Sequence, residues 1–401
     1  MSEKKFTLIQ KFTIAFLVLL MIHWTLFVIY PNGVQKTIFF AEGRDFMADF
    51  LNLLRYMADG NPYDAFDGER IYLPLGYMLI YPFSKLDNYA VMSLSDLWGS
   101  HIVQISFTFF TLVSVFAFYF ALKTFCEKYN VNKIILIPLL LSGFFIRAVE
   151  RGNLILISAS CSIFYLALYD SESKLKRKLA VIFLALSAAL KVYPALFGIM
   201  YLRKKMYREF IEAVILSILL GLLPFLFFDG GFSNIPALIK NLAINSRNYG
   251  SITRGLEPLF NMRHYVFRFF KLLGLAESHA AFIAYACGYL QNIFALIALI
   301  FAWRVKNEYL SLILCALGII FLPANTGSYC GLYLFPAVIM MFAQTKISVS
   351  HLVFYLVYLS PIQFGIIHKG EVLGITWIFL ACITALFMLA NLYAAFRLRK
   401  Q

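Results

Sequence analysis

Long apolar runs alternate with short polar links along most of the chain. A run of about 20 apolar residues can span a bilayer as a helix, and this pattern predicts an all-α polytopic membrane protein with about 10–12 transmembrane helices. The runs end at charged residues or at clusters of proline and glycine. They cover residues 12–30, 101–122, 134–149, 153–169, 179–202, 209–228, 281–303, 309–323, 329–343, 349–366 and 373–394.

Two longer polar stretches interrupt the pattern. They cover residues 31–100 and 229–280, and we call them the first loop and the second loop. The other links are short, and the sequence contains no internal repeat or low-complexity segment. We therefore expect residues 1–401 to form a single transmembrane domain whose two loops carry short interfacial helices.

The composition also indicates a membrane protein. Of the 401 residues, 61% are hydrophobic and only 14% are charged, whereas soluble domains have about 25% charged residues. The six cysteines occur singly and form no CxxC motif, so we expect neither a disulfide framework nor a zinc site. The first apolar run has no small-residue cleavage site, and we interpret it as a retained anchor.

Charge predicts the orientation of the chain in the membrane. Short basic links stay in the cytoplasm, whereas the first loop has nine acidic residues against five basic ones and is expected on the other side. Both termini are then cytoplasmic, and both loops are extracytoplasmic. The basic segments are 4–11, 123–133, 174–178, 203–208, 304–306 and 397–400.

The apolar run 179–202 has basic residues at both of its ends. Its centre reads Lys191-Val192-Tyr193-Pro194, and a proline disfavours helix at its own position and at the one before it. We predict two short helices that meet at a turn and bring Lys191 deep into the protein, where it needs an anion. The alternatives are one straight crossing that violates the charge rule, and a lysine that extends to the membrane surface.

Two acidic residues follow the first apolar run. Asp45 and Asp49 are four positions apart, so they share one face if the segment is helical. Neighbouring carboxylates can act as a general base and as a group that tunes the pKa of that base. The alternative is a solvated helix start, where acidic residues are common.

A charged turn, Arg147 to Asn153, separates two apolar runs with almost no loop between them. Charged residues at membrane depth are costly and often functional. Arg151 can bind a phosphate through two nitrogens. The alternative is a structural turn in which Glu150 pairs with an arginine.

The second loop is rich in basic residues, which favours an anionic ligand or a lipid headgroup. The alternative is that long loops cross the membrane regardless of charge. Tyr329 and His368 lie near other predicted extracytoplasmic ends and could add polar lining. The basic residues of the second loop are Lys240, Arg247, Arg254, Arg263, Arg268 and Lys271.

Several signatures of other protein classes are absent from the sequence. There is no P-loop, no GxSxG, no HExxH and no DxD motif in a soluble domain. The cytoplasmic links are too short for a nucleotide-binding domain. We therefore expect neither an ATP-driven pump nor a nucleotide-sugar enzyme, and we expect no metal and no cofactor.

Three segments resemble glycosyltransferase family 87, whose members have the GT-C membrane fold. The first segment runs from Asp45-Phe46 through Gly60-Asn61-Pro62-Tyr63 to Tyr72-Leu73-Pro74-Leu75. The second is Arg151-Gly152-Asn153, and the third is Ala189-Leu190-Lys191-Val192-Tyr193-Pro194. The single proline at position 74 and the asparagine at position 153 depart from the family pattern and leave the sugar specificity open.

The resemblance implies an inverting transferase that moves a mannose-like hexose or a pentose from a polyprenyl phosphate to a hydroxyl of a glycolipid or cell-envelope polysaccharide. It implies a multi-pass protein of the bacterial cytoplasmic (inner) membrane, active on the extracytoplasmic side and without a nucleic acid partner. Asp45 corresponds to the catalytic aspartate, and Asp49 is the alternate or an orienting neighbour. The leaving phosphate needs cations, and we expect Arg151 and Lys191 to bind it, with Arg254 or Arg263 of the second loop as reserves. The candidate substrate-lining residues of the resembling half are Glu150, Asn153, Tyr63, Tyr72 and Tyr193. Tyr329 and His368 are added from their predicted positions alone, and a structural role is the alternative for each.

Two other functions fit a many-spanned protein with polar loops. A polysaccharide polymerase or ligase would depend on loop arginines and would not need an aspartate after the first span. A transporter or flippase of lipid-linked sugars often has matching broken helices in both halves. The break near Lys191 has no clear counterpart in the second half of this chain.

Overall fold

The computed structural model describes residues 7–29, 46–250, 260–323, 327–360, 366–368, 371–373 and 375–400. These residues are mostly helical, apart from two three-residue strands, β1 (Ile366–His368) and β2 (Glu371–Leu373), which pair antiparallel. The α-helices are α1 (Leu8–Ile29), α2 (Ala48–Ala58), α3 (Pro74–Ser84), α4 (Leu94–Gly99), α5 (His101–Lys128), α6 (Leu136–Leu140), α7 (Gly143–Arg151), α8 (Ile155–Leu168), α9 (Lys174–Leu190), α10 (Ile199–Arg203), α11 (Tyr207–Leu222), α12 (Ile235–Gly250), α13 (Met262–Leu272), α14 (Glu277–Arg304), α15 (Glu308–Phe321), α16 (Phe335–Phe342), α17 (Val349–Leu359) and α18 (Ile375–Lys400). The 3-10 helices are Tyr89–Val91, Lys133–Ile135, Tyr193–Gly198, Leu223–Phe227, Gly231–Asn234 and Ser328–Leu334.

Five helical segments in the described residues are long and apolar enough to cross a membrane. Much of their apolar surface faces outward, and in α5 Ile105 is 69% exposed. Such a surface is stable in contact with lipid rather than with water. The prediction of an all-α polytopic membrane protein is confirmed. The five segments are Leu8–Leu26, His101–Lys128, Tyr207–Phe227, Glu277–Arg304 and Ile378–Leu398.

The chain divides into two compact units. The terminal unit comprises Met1–Glu42, Leu122–Arg147 and Ile252–Gln401, and the central unit comprises Gly43–Ala121 and Ala148–Ser251. In the terminal unit α15 is surrounded by protein, since every residue from Tyr309 to Phe321 is buried and the helix packs on α14, α16 and α18. Nothing in this division tests the expected single transmembrane domain, which stays a prediction.

Aromatic and aliphatic side chains from several helices form the core of the central unit. The ring of Phe50 in α2 lies 5.8 Å from that of Phe107 and 5.5 Å from that of Phe110, both in α5. Leu54 and Met57 of α2 are also fully buried. This packing holds one face of α2 against the core and leaves its other face for polar residues.

The chain folds back on itself after α9. Helix α9 ends at Leu190, Lys191 has an extended backbone, and a 3-10 helix starts at Tyr193. A Cβ atom at Gly198 would lie 3.7 Å from Leu184 Cδ2, whereas a straight helix would separate these residues by about 21 Å along its axis. The predicted break at the Lys191-to-Pro194 segment is confirmed.

Ion pairs join the two basic ends of this hairpin. Each pair joins a residue that precedes the hairpin to one that follows it. Arg177 lies 3.6 Å from Glu209, and Asp170 lies 3.4 Å from Lys204. Links 174–178 and 203–208 therefore lie at the same end of the bundle, as the charge rule requires. The hairpin is confirmed, and its cytoplasmic location stays a prediction.

The apolar run 134–149 does not form one continuous helix. Helix α6 ends at Leu140 and α7 begins at Gly143. Ser142 lies between them, donates its hydroxyl hydrogen to the Leu139 carbonyl at 2.8 Å and accepts the Phe145 N–H at 3.4 Å. A serine hydroxyl competes with the helical hydrogen bonds in this way, so a run read as apolar can still contain a break.

Single-cysteine variants test the hairpin, in a background whose native cysteines are replaced. Lys176→Cys and Tyr207→Cys lie before and after it, so both should react with a membrane-impermeant thiol reagent added from the same side. Val91→Cys in the first loop is the control and should react only from the other side. Labelling of positions 176 and 207 from opposite sides would establish a straight crossing instead.

Candidate functional site

Asp49, in the first turn of α2, is bound by the turn that follows α7. Arg151 donates from Nε to Asp49 Oδ2 at 2.7 Å and from Nη2 to Oδ1 at 2.9 Å. Asn153 donates from Nδ2 to Asp49 Oδ2 at 2.7 Å. The Asp49 and Arg151 side chains are only 12% and 18% exposed. This two-point, charge-assisted contact fixes the start of α2 against the turn.

The environment of Asp49 keeps its carboxyl group ionised. Burial alone would raise the pKa of Asp49, because desolvation disfavours a charged carboxylate. The charge and hydrogen bonds of Arg151, the hydrogen bond from Asn153 and the charge of Lys191 outweigh burial and lower the pKa below its usual value. A carboxylate with a lowered pKa is a weak proton acceptor. The geometry therefore favours an orienting role for Asp49 over the role of the base.

Gly152 makes the turn between the two groups that bind Asp49. Its φ angle is +61°, in the left-handed region, and a Cβ atom there would lie 2.8 Å from both Phe107 Cε2 and Phe50 Cβ. The turn directs Arg151 and Asn153 to the same carboxylate. Asn153 Oδ1 also accepts the Ile155 N–H at 2.8 Å, so the same side chain helps to start α8.

A backbone contact holds the other side of the same turn. The Met47 N–H donates to the Glu150 carbonyl oxygen at 2.8 Å, directly before α2 begins. Met47 has a left-handed backbone with φ of 57°. Glu150 itself is buried, with 8% of its surface exposed. The start of α2 and the end of α7 are thus joined through both main chain and side chains.

Lys191 lies at the break after α9 and contacts Tyr72. Its Nζ atom donates to the Tyr72 hydroxyl at 3.3 Å and lies 4.3 Å from the centre of the Tyr72 ring. Within the described part of the chain, no carboxylate lies within ion-pair distance of Lys191. A tyrosine ring stabilises an ammonium group without neutralising it. The positive charge of Lys191 also acts on Asp49 and helps to lower the pKa of that carboxyl group.

Asparagine side chains join the first loop to the second loop. Asn61 donates from Nδ2 to the Asp229 carbonyl at 3.0 Å. Asn241 in α12 accepts the Gly68 N–H at 3.1 Å, and Asn245 donates to the Gly68 carbonyl at 2.7 Å. We call Asn61, Asn241 and Asn245 the asparagine bridge. It fixes the backbone of the first loop, where the chain leads to Tyr72.

The Gly-Asn-Pro-Tyr segment, residues 60–63, holds the backbone of Tyr72 in place. Tyr63 is 1% exposed, and its hydroxyl donates to the Tyr72 carbonyl at 3.0 Å. The Tyr63 N–H donates to Asn61 Oδ1 at 3.1 Å. Tyr63 therefore contacts the residue that binds Lys191, and Asn61 in turn holds the backbone of Tyr63.

The model of glycosyltransferase family 87 matches residues 71–323, which is more than half of the chain. The chain belongs to glycosyltransferase family 87. This membrane protein is therefore a glycosyltransferase. The matched range contains Tyr72, the Arg151-to-Asn153 turn and Lys191, and it begins after Asp45 and Asp49. No curated protein and no solved structure matches the chain.

The structure of this family 87 protein brings several predicted site residues together in the central unit. Asp49, Arg151 and Asn153 are in direct contact, and Lys191 and Tyr72 form a second contact. Tyr193 follows Lys191 and begins the 3-10 helix of the hairpin. Glu150 and Tyr63 are buried beside these groups, as described above.

Other predicted residues lie elsewhere. Asp45 and Arg254 are outside the described residues. Arg263, Tyr329 and His368 belong to the terminal unit. Arg263 donates from Nε to Asn261 Oδ1 at 3.2 Å, and the backbone of His368 pairs with Glu371 in the short sheet.

Sequence reasoning for this glycosyltransferase missed the asparagine bridge and the polar face of α2. Asn241 and Asn245 are four positions apart and share a helix face, which is a usable signal. In α2, Asn52 and Tyr56 follow Asp49 at three and seven positions, which is also one-face spacing. Neither pattern adds a charge at membrane depth, so neither indicates a functional site from sequence alone.

Replacing Gly152 tests the turn. We expect Gly152→Ala to destabilise the enzyme by about 1–3 kcal/mol, because alanine disfavours a positive φ angle and its Cβ would press on Phe50 and Phe107. The thermal midpoint of the purified protein measures this. Gly99→Ala is the control, since a Cβ atom there meets nothing within 4 Å. Equal midpoints for the two variants would contradict the proposed strain.

Acid should remove the contribution of the Asp49 ion pair. Because the folded-state pKa of Asp49 is lowered, its pair stabilises the protein at neutral pH, and that contribution is lost as the pH falls below the ordinary aspartate pKa of about 3.9 and through the lower folded value. The thermal midpoint of Asp49→Asn should lie well below that of the wild type at neutral pH, and the gap should shrink in acid. If the difference in thermal midpoint between the two proteins stays constant as the pH is lowered below the ordinary aspartate pKa, the ion pair is not the cause of that difference.

Proposed function

We propose that this family 87 protein is an inverting transferase that moves a mannose-like hexose or a pentose from a polyprenyl phosphate to a hydroxyl of a glycolipid or cell-envelope polysaccharide. The observation that carries the proposal is the pairing of Lys191 with an aromatic ring rather than with a carboxylate. An ammonium group that lies against an aromatic ring, with no carboxylate beside it, can still attract an anion. Lys191 lies at the break between α9 and the 3-10 helix that begins at Tyr193.

A phosphate leaving group needs cations that are positioned before the reaction. Lys191 provides one, and its place at the C-terminal end of α9 is favourable for a positive charge. Arg151 is the second candidate ligand. Two of its nitrogens already donate to Asp49, so a phosphate would share this guanidinium with the carboxylate. The roles suggested for Arg254 and Arg263 stay predictions from the sequence.

We assign the general base to Asp45. It follows the first apolar run, it matches the position of the aspartate in the family pattern, and it precedes Asp49 by four positions in the sequence. Asp49 is ion-paired, with a lowered pKa, and is suited to orienting this segment instead. This assignment distributes the two carboxylates between a proton acceptor and a structural anchor.

In the proposed reaction Asp45 takes the proton of the acceptor hydroxyl while the oxygen of that hydroxyl attacks the anomeric carbon. The bond from that carbon to the phosphate oxygen breaks, and the polyprenyl phosphate leaves with the electron pair. The anomeric configuration inverts because one displacement occurs. Lys191 and Arg151 stabilise the negative charge that develops on the leaving phosphate.

We place the reaction on the extracytoplasmic side of the bacterial cytoplasmic membrane, with both termini in the cytoplasm. The acidic balance of the first loop and the basic ends of the hairpin support this orientation. Polyprenyl-phosphate sugars present the sugar at the membrane surface, where a loop-borne site can reach it. Neither a metal nor a cofactor is part of the proposal.

A transfer assay tests the function and the base together. Purified enzyme is given radiolabelled polyprenyl-phosphate mannose, glucose and arabinose with a membrane acceptor extract, and product is measured for wild type, Asp45→Asn and Asp87→Asn. Loss of the base should lower the rate by about 100-fold or more in Asp45→Asn, with an unchanged thermal midpoint. Asp87, an exposed first-loop carboxylate, is the matched control.

Two results would count against the proposal. A fully active Asp45→Asn enzyme would remove Asp45 as the base. A wild type that consumes no donor but joins lipid-linked oligosaccharides would be a polymerase or ligase, and one that only moves them across the bilayer would be a flippase.

A further inference from the structure

A cavity of about 240 Å³ opens on the polar face of α2. It is separate from the Asp49 ion pair and is lined almost entirely by polar side chains. The first loop supplies every residue that lines it. These residues are Asn52, Arg55, Tyr56, Asp59, Asp67, Glu69, Arg70 and Ala90.

Asp49 and the cavity share one face of α2. Asn52 and Tyr56 follow Asp49 by three and seven positions, which is the spacing of neighbours along one side of a helix. Asn52 therefore lies about one turn, or about 5 Å along the axis, from Asp49. A ligand that fills the cavity therefore lies about one helical turn from Asp49.

The far wall of the cavity is held in a fixed shape. Arg70 donates from Nε to Asp67 at 3.2 Å, lies 3.5 Å from Asp59 and covers the Tyr56 ring at 4.8 Å. Tyr56 donates its hydroxyl hydrogen to Glu69 at 2.8 Å. Burial, followed by the charge of Glu69, raises the pKa of Tyr56 well above its usual value, so this hydroxyl remains a donor. These contacts make the wall rigid before any ligand arrives.

Two side chains that line the cavity lack the hydrogen bonds and ion pairs that fix its far wall within the described residues. Asn52 and Arg55 line it, and neither makes a hydrogen bond or an ion pair with any residue in the described part of the chain. Both are only partly exposed. Asn52 offers a donor and an acceptor, and Arg55 offers several donors. They are available to a ligand without breaking a contact of the fold.

The charge of the lining selects the ligand class. Three carboxylates face two guanidinium groups in the same small space. The carboxylates disfavour an anion, and the guanidinium groups disfavour a metal cation. A hydroxyl group both donates and accepts, so it can bridge an arginine or asparagine to a carboxylate. A neutral molecule with many hydroxyls satisfies this mixture of donors and acceptors best.

We propose that the cavity binds a neutral sugar unit of the acceptor and that Asn52 and Arg55 are its specificity-determining contacts. The assignment as an acceptor site rests on the proposed transferase function, since the acceptor must present its hydroxyl next to the aspartate-bearing end of α2. The wall formed by Arg70, Asp59 and Glu69 orients the ring. The lipid phosphate of the donor binds elsewhere, at Lys191.

Direct binding tests the site without requiring the natural acceptor. Purified full-length protein in lipid nanodiscs is titrated with methyl α-mannoside, methyl α-glucoside, methyl α-galactoside and methyl α-arabinoside, and binding is followed by saturation-transfer difference NMR. We expect at least one glycoside to bind the wild type and to bind Arg55→Ala and Asn52→Ala about tenfold more weakly, because each loses a hydrogen bond to the ligand. Arg247→Ala, an exposed second-loop arginine outside the cavity, should bind as the wild type does.

The consumption of the polyprenyl-phosphate sugar donor is measured in parallel on the same samples. Consumption of the donor together with equal glycoside affinity in wild type and Arg55→Ala would overturn the sugar site and leave the transferase intact. Failure of every glycoside to bind would overturn it as well, and so would Arg55-dependent binding of inorganic phosphate in place of sugar. Glycoside binding that depends on Arg55 in a protein that consumes no donor would overturn the acceptor assignment and the proposed function together.

Discussion

A carboxylate removed from water must be matched by a positive charge, and in the central unit this requirement joins α2 to the end of α7. Asp49 and Arg151 form a two-point pair, with Asn153 adding a third hydrogen bond. Removing either member of such a pair leaves the other charge poorly solvated, so the helix start and the turn depend on each other. Gly152 allows the turn because nothing larger fits between Phe50 and Phe107.

Helix α2 has one apolar face and one polar face, so it joins the core of the central unit to the Asp49 ion pair and to the cavity. Phe50, Leu54 and Met57 anchor it in the core, which determines its rotation about its own axis. That rotation places Asp49 against Arg151 and turns Asn52 and Tyr56 toward the cavity. The apolar contacts of the core therefore set the geometry of the polar site, although they touch no ligand.

The class of protein and the hairpin could be predicted from sequence because both depend on one-dimensional information. Apolar length, basic ends and Pro194 are visible along the chain, and the ion pairs between the links agree with them. The partners of Asp49 could not be predicted in this way. Arg151 is far away in the sequence, and spacing rules describe only residues on one helix or strand. The sequence therefore predicts a separate chemical role for Asp49 and for Arg151, whereas the structure shows that they bind each other.

The asparagine bridge has a consequence for the conditions under which the enzyme keeps its shape. Amide groups carry no net charge and do not titrate. The hydrogen bonds between Asn61, Asn241 or Asn245 and the loop backbone are therefore indifferent to acidity and only weakly affected by dissolved ions. A loop connection made of lysines and glutamates would loosen whenever the surroundings became acidic or salty. On the extracytoplasmic side proposed for the two loops, where the cell does not control acidity or salt, uncharged contacts of this kind would keep the loops joined.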